Sequence, residues 1–325
     1  MDLTLTICMY NAEQYIEKTL CSILSQTKQD FQLLIVDDCS TDNSVECVEH
    51  FFQEHPRQYV LKLLNENQGI AYARNYALNV AVTKFMVFVD ADDLPLPTRG
   101  LGDVYKRQEK EYALLTSDQD LMAVSSWSEF IDKQGCRIKG GLYIGETDKE
   151  SFKKRAEQGK RIFLPIQTMF DRSCAIRVGG FCCTGFPKGR PRYQDFCEDL
   201  DLWTRMSDLY TEGKAIVSIP EVLYQYRKGD GLSSNHFNMI IKMQYTKQNV
   251  RRRRMGLPNL TFSEYYASLS EDDLKTLKRD SMAADALKNG VFNLKQGNIS
   301  KGVWNILSSI WYKPSYIIQK LNANF

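Results

Sequence analysis

The sequence predicts an α/β protein with a mostly parallel central sheet, helices on both of its faces and a C-terminal helical extension. Three observations carry this. Near-continuous apolar runs alternate with amphipathic stretches over the first hundred residues, each apolar run ends in a polar cluster, and from about Asn235 the signal is helical. Parallel strands are buried on both faces and read as unbroken apolar runs, whereas covering helices repeat apolar residues at i, i+3 and i+4.

In chain order, Leu3 to Cys8 reads as a buried strand, and Glu13 to Gln26 as a helix with Ile16, Leu20, Ile23 and Leu24 on one face. Leu33 to Val36 is a second strand, followed by an amphipathic stretch carrying Val45, Val48 and Phe52. Val60 to Leu64 is a third strand; Ile70, Ala73, Ala77 and Ala81 mark the next helix; Phe85 to Val89 is a fourth strand ending at Asp90. Beyond residue 120 the alternation loosens. Leu121 to Ile131 reads as a strand, Ile162 to Met169 as irregular extended chain, Asp195 to Leu209 as a helix, and Ala215 to Tyr226 as extended pieces broken by Pro220. The expected organisation is one domain over 1–230 and a helical extension over 235–325, without internal repeats.

The stretch Gly100 to Gln108 interrupts this reading, because Leu96-Pro97-Thr98-Arg99 expects a helix that Glu109 to Leu115 then supplies. Asp103 to Gln108 resembles a translated transposon-end adaptor of the kind used in sequencing libraries, so 100–108 is set aside from functional reasoning.

Composition excludes several classes. Lys+Arg 42 against Asp+Glu 40 leaves a net charge of +2, too little for a chain that coats nucleic acid, so no nucleic-acid partner is expected. The cysteine count of 9 is odd and lacks paired C-x-x-C zinc spacing, which fits free thiols in a reducing cytoplasm. Met1-Asp2-Leu3-Thr4 has no basic then apolar leader, and no run approaches the ~18 apolar residues of a membrane span.

Ligands of parallel sheets sit beyond the carboxyl ends of the strands, where this chain places Tyr10-Asn11, Asp37-Asp38, Asn65 to Gly69, and Asp90-Ala91-Asp92-Asp93. Asp90 and Asp92 at the end of a buried strand can turn together toward a divalent cation and the oxygens of a diphosphate. Asp38 suits a nucleobase edge, while Ser40 or Asp42 suits the cap of the following helix. Arg74, in a helix beside the crevice, suits a diphosphate or base contact.

Together, Tyr10-Asn11, Val36 to Asp42, Asn67-Gln68-Gly69 with Ala73-Arg74-Asn75, and Asp90 to Asp93 resemble the family 2 glycosyltransferases, the inverting group of the GT-A fold, over about residues 3–230. The resemblance implies a Rossmann-like sheet, a nucleotide-diphospho-sugar donor, UDP-sugar by preference, Mg²⁺ or Mn²⁺, and transfer with inversion to a hydroxyl acceptor on a cell-surface or lipid-linked glycan. Carried over by position, Cys8, Tyr10, Asp38, Asn67, Gly69, Arg74 and Ala91 bind the nucleotide-sugar, and Asp90 with Asp92 organises the metal. Glu198-Asp199-Leu200-Asp201-Leu202-Trp203 resembles the family's acidic segment, making Asp199 the general base, Glu198 an acceptor neighbour, and Asp201 and Trp203 supports. Gly179-Gly180-Phe181 resembles the acceptor-side turn. Many relatives carry a histidine where this chain has Lys228 in Tyr226-Arg227-Lys228, and His236 is the nearby substitute.

Two alternatives stand beside this reading. A sugar nucleotidyltransferase has a similar sheet but carries a glycine-rich basic loop after strand one, where this chain has Tyr10-Asn11-Ala12-Glu13; the other is a catalytically silent binding or scaffold protein. The extension, with Arg251 to Arg254 and Trp304, Trp311, Tyr312 and Tyr316, supports either peripheral contact at the inner face of the plasma membrane or a homodimer contact.

Overall fold

The apolar runs become strands β1 (Leu3–Met9), β2 (Gln32–Asp37), β3 (Val60–Leu63) and β4 (Phe85–Asp90) in a computed structural model that describes residues 1–91, 107–131, 136–227 and 235–316. Asp92 and Lys228, and residues 100–106 of the interrupting stretch, lie outside the described residues. Between the strands run α1 (Ile16–Leu24), α2 (Ser44–Glu54) and α3 (Ile70–Val80). These crossovers make β1 parallel to β2 and β4, and β2 parallel to β3. All residues of β1 are buried, as its central place between two parallel neighbours requires. Cys8 is in register with Val36 on one side and Asp90 on the other, so those strands end together.

The second half of the sheet is mixed. It contains α4 (Arg107–Ser117), β5 (Leu121–Ile131), β6 (Arg137–Tyr143), α5 (Lys149–Glu157), β7 (Met169–Asp171), α6 (Arg172–Arg177), α7 (Glu198–Met206) and β8 (Ala215–Arg227). Strand order is β3-β2-β1-β4-β7-β5-β6, with β8 paired parallel to β5. The short β7 runs antiparallel to β4 and β5 and joins the two halves.

Several boundaries differ from the sequence expectation for local reasons. The first helix begins at Ile16 rather than Glu13, because the Ala12 and Glu13 N–H groups are held by Ser44 Oγ (2.7 Å) and Asp42 Oδ2 (3.1 Å). α7 begins at Glu198 rather than Asp195, since Cys197 has φ +52° and separates it from a 3₁₀ turn at Tyr193–Asp195. Residues 215–227 form one strand: Ile219 pairs with Ser126 and Val222 with Trp127, so Pro220 falls where the register shifts and no ladder bond is demanded of it. α4 begins two residues before the expected Glu109, with Arg107 and Gln108 buried.

The chain divides into two compact units, Met1–Cys183 with Glu198–Lys228, and Thr184–Cys197 with Gly229–Phe325. Residues 184–197 therefore group with the helices rather than the sheet. The second unit holds α8 (His236–Arg254), α9 (Phe262–Ala267), α10 (Glu271–Lys295) and α11 (Ile299–Tyr312). Its core gathers Tyr193, Phe196, Ile241, Tyr245 and Tyr265 around the fully buried Phe262. Reciprocal capping boxes at Thr261–Glu264 and Ser270–Asp273 start α9 and α10. Among the described residues no helix is long and apolar enough to cross a membrane.

Candidate active site

The loops after β1 and β2 are tied by reciprocal polar contacts. Asp37 accepts the Ser40 N–H (2.9 Å) and Oγ–H (2.5 Å), which folds the chain through Cys39 at φ +62°. Ser40 Oγ in turn accepts the Asn11 N–H (2.9 Å), and Asn11 Oδ1 accepts the Thr41 N–H (2.8 Å). Asp42, not Ser40, receives the Ser44 N–H (3.1 Å) at the start of α2. The network fixes the strand ends before any ligand arrives, the pre-organisation a binding site needs.

Asp38 is 3% exposed and accepts the backbone N–H groups of Gln68 (2.9 Å) and Gly69 (2.8 Å), while Asn67 Nδ2 donates to the Asp38 carbonyl (3.2 Å). Gly69 has φ +96°, a conformation that glycine adopts without Cβ strain, so Asp38, Asn67 and Gly69 together set the entry to α3. Cys8 is buried beside them with its thiol pushed up to about 12 by burial, which makes it neutral lining. Tyr10 is 44% exposed, and Ala91 is buried with its carbonyl held by Thr19 Oγ1 at 2.9 Å.

α3 presents Arg74, 4% exposed, to two carboxylates from distant parts of the chain. Its Nη2 lies 2.5 Å from Asp90 Oδ1 at the end of β4, and its Nη1 donates to Glu198 Oε1 at the start of α7. Burial opposes the Arg74 charge, and Asp90 and Glu198 more than offset it, so its pKa is raised. The guanidinium expected to meet a nucleotide clamps the two acidic segments together. Asp199 follows Glu198. Burial first, and the Glu198 charge second, push its carboxyl up to about 7, against the lowering effects of the Leu200 N–H and Arg74. Asp90 adds to the rise, so three acidic groups depend on one cation.

Two further residues line the site: Gln167, which escaped the sequence reading, and Asn75, which was read only as part of the Ala73-Arg74-Asn75 motif. Gln167, 1% exposed, directs Nε2 at Asp90 Oδ2 (3.4 Å) and Tyr224 Oη (2.7 Å). It sits in an aperiodic segment, where a polar Gln167-Thr168 pair between Ile166 and Met169 was the one signal available. Asn75 Oδ1 accepts the Phe181 N–H at 3.1 Å and would lie 2.4 Å from a Cβ on Gly180, whose φ is +62°. The Gly179-Gly180 turn is gripped by Arg205, which donates to the carbonyls of Val178 (2.6 Å) and Gly180 (2.7 Å) while pairing with Asp201 (2.9 Å). Asp201 is thereby a support for the turn. Phe181 and Trp203 are core residues: Phe181 packs edge-on against Phe88 and Trp203 against Phe170, and Trp203 Nε1 donates to the Leu164 carbonyl (3.2 Å). His236 belongs to the second unit and pairs there with Asp285.

The profile described as Glycosyl transferase family 2 matches residues 4–179. An uncharacterized glycosyltransferase of Haemophilus influenzae is 26% identical over 282 residues, covering 85% of this chain and 77% of that protein. A teichoic acid poly(glycerol phosphate) polymerase of Staphylococcus epidermidis is 43% identical over 91 residues, 28% of this chain and 13% of that protein. Among solved structures, S. aureus TarS 1-349 in complex with UDP-GlcNAc aligns with a TM-score of 0.56 at 16% identity, over 98% of this chain and 92% of that one. The mannosyltransferase PcManGT from Pyrobaculum calidifontis, in complex with GDP-Man and Mn²⁺, aligns at 0.54 and 17% identity over 98% and 88%.

Proposed function

The chain belongs to glycosyl transferase family 2, and on that premise we propose that it is an inverting glycosyltransferase, moving a sugar from a nucleotide-diphospho-sugar to a hydroxyl of a surface or lipid-linked glycan. The observation that carries the reading is the cluster of Asp90, Arg74, Glu198 and Asp199 at the carboxyl ends of the parallel strands. A general base works best when its pKa lies near the operating pH, and Asp199 is raised to about 7. It accepts the proton of the acceptor hydroxyl as that oxygen attacks the anomeric carbon. The new glycosidic C–O bond forms on the face opposite the breaking bond to the diphosphate, whose electron pair leaves with it. Glu198 and Asp90 make Asp199 more basic, and Arg74 keeps the three carboxyl groups from dispersing.

The reading places a hard divalent cation, Mg²⁺ or Mn²⁺, on the carboxylate of Asp90 and, by its place in the sequence, Asp92. Oxygen donors are what such ions take, and Asp90 and Glu198 share a single guanidinium, an excess of negative charge that a cation would offset. When bound, the ion supplies charge neutralisation at the departing diphosphate. UDP-sugar is the preferred donor, supported by the UDP-GlcNAc complex of TarS, and a surface-glycan acceptor by the polymerase relative.

The test is a panel of nucleotide sugars with Mn²⁺, Mg²⁺ or EDTA, read by thermal shift and by donor hydrolysis. A UDP-sugar is expected to raise Tm and be hydrolysed only with the ion, and the Asp90→Asn variant to lose both responses. A chain that binds and uses its donor equally in EDTA would remove Asp90 and Asp92 from this role.

A further inference from the structure

The helices α10 and α11 meet across two glycines. A Cβ on Gly290 would stand 2.7 Å from Ile306 Cγ1, and one on Gly302 would stand 2.6 Å from Leu294 Cδ2. On this inner side Gly302 and Ser309 are buried, and Ser309 Oγ donates to the Ala283 carbonyl at 2.8 Å. Close backbone approach turns the rest of α11 outward. Ile299, Val303, Trp304, Leu307, Ile310 and Trp311 are all exposed, the two tryptophans at 71% and 78%. At 100° per residue these six fall within a stripe roughly 140° wide, a face fit to cover a core but lying on the surface. On α10, Val291 and Phe292 are exposed between exposed Lys288 and Lys295, spaced i, i+3, i+4 and i+7 on one face.

The charge of the segment selects what this face meets. From Ala286 to Phe325 the sequence holds five lysines and no Asp or Glu. Lys313 pairs with Asp280 (2.6 Å), and Lys288, Lys295 and Lys301 lie at the surface. A second copy applied face to face would bring two sets of lysines together, whereas an anionic surface complements them. Exposed tryptophans belong at the boundary between headgroups and acyl chains. With 14 residues α11 is too short to span a bilayer, which takes about 20, but long enough to lie within its interface.

We propose that the outward face of α11, with the Lys288–Lys295 face of α10, is a docking surface for an anionic lipid bilayer. The helix lies in the membrane plane with Trp304 and Trp311 at headgroup depth and the lysines on the phosphates. Binding is read on vesicles without donor, acceptor or turnover, so its outcome is independent of the proposed transfer reaction.

The test is flotation of the full chain with vesicles of phosphatidylcholine alone or with about 30% phosphatidylglycerol, at low and high salt. The parent chain is expected to float with the anionic vesicles, less so in high salt, with a blue shift of tryptophan emission. Trp304→Ser with Trp311→Ser is expected to lower partitioning at least tenfold. Lys288→Gln, Lys295→Gln and Lys301→Gln together should remove the preference for phosphatidylglycerol. Circular dichroism melts unchanged from the parent establish that these surface variants fold. Failure of the parent to float, or equal flotation of the double tryptophan variant, overturns the proposal. So does a parent that floats with neither vesicle but is a dimer that the tryptophan variant turns into a monomer, which assigns the face to a second copy.

Discussion

The raised carboxyl of Asp199 makes a quantitative prediction for the acid limb of the rate profile. With a pKa of about 7, the basic carboxylate falls to roughly a tenth of the molecules at pH 6 and about a hundredth at pH 5, so kcat/KM drops about tenfold per unit below the limb. An ordinary carboxylate would place that limb near pH 4 and leave activity flat across this range. Glu198→Gln tests the cause. The variant removes the second-largest contribution to the rise and leaves Arg74 with one fewer carboxylate, and both changes lower the Asp199 pKa. Burial is the first contribution and remains, so the limb should move down by about one pH unit, or about 1.4 kcal/mol, without reaching the ordinary range. The assay is release of nucleoside diphosphate from donor and acceptor between pH 4.5 and 8.5, with Asp199→Asn as the companion, expected to lose about 10²–10⁴ in rate. A limb near pH 4, a limb unmoved by Glu198→Gln, or near-parental turnover of Asp199→Asn would refute the assignment.

Arg74→Met leaves Asp90 and Glu198 without their buried shared cation, and the expected loss is about 3–5 kcal/mol in urea unfolding together with activity. Gly180→Ala places a Cβ 2.4 Å from Asn75 Oδ1 on a backbone at φ +62°, for an expected cost of about 1–3 kcal/mol read as a lowered Tm. Adding Asn75→Ala should recover the steric share of that cost but not the share owed to the backbone. An independently cloned copy of the gene is expected to lack codons 100–108, and recovery of those codons by sequencing would end that reading.

The strand ends were legible because a parallel strand is apolar until it leaves the sheet: the run from Phe85 stops at Asp90, and so does β4. The Asp37–Asp42 loop was legible for the same reason, although only the fold shows that Asp42 rather than Ser40 receives the first N–H of α2. Arg74 was legible as a residue of the crevice, but its ion pair with Glu198 was not, since nothing local in the chain joins the two. Gln167 escaped because its segment has no period, and α5 because a helix burying only Phe152 and Ala156 leaves almost no apolar stripe. Residues 184–197 read as part of the first domain because their aromatics, Tyr193 and Phe196, declare burial without declaring in which core. Trp304 and Trp311 likewise stood out in the extension without declaring whether protein covers them.

The sheet-bearing unit is discontinuous, and this has a consequence for how the protein can be cut. Any fragment ending at Cys183 keeps the four parallel strands, the Asp38 loop and Arg74, yet lacks Glu198 and Asp199. Such a piece would hold a buried guanidinium with one of its two carboxylates missing, and would have no proton acceptor of the proposed kind. A nascent chain meets the same condition. The half of the sheet that carries Arg74 is synthesised before Glu198, so its charge balance closes only after the polypeptide has run through residues 184–197, which group with the second unit, and returned to the first.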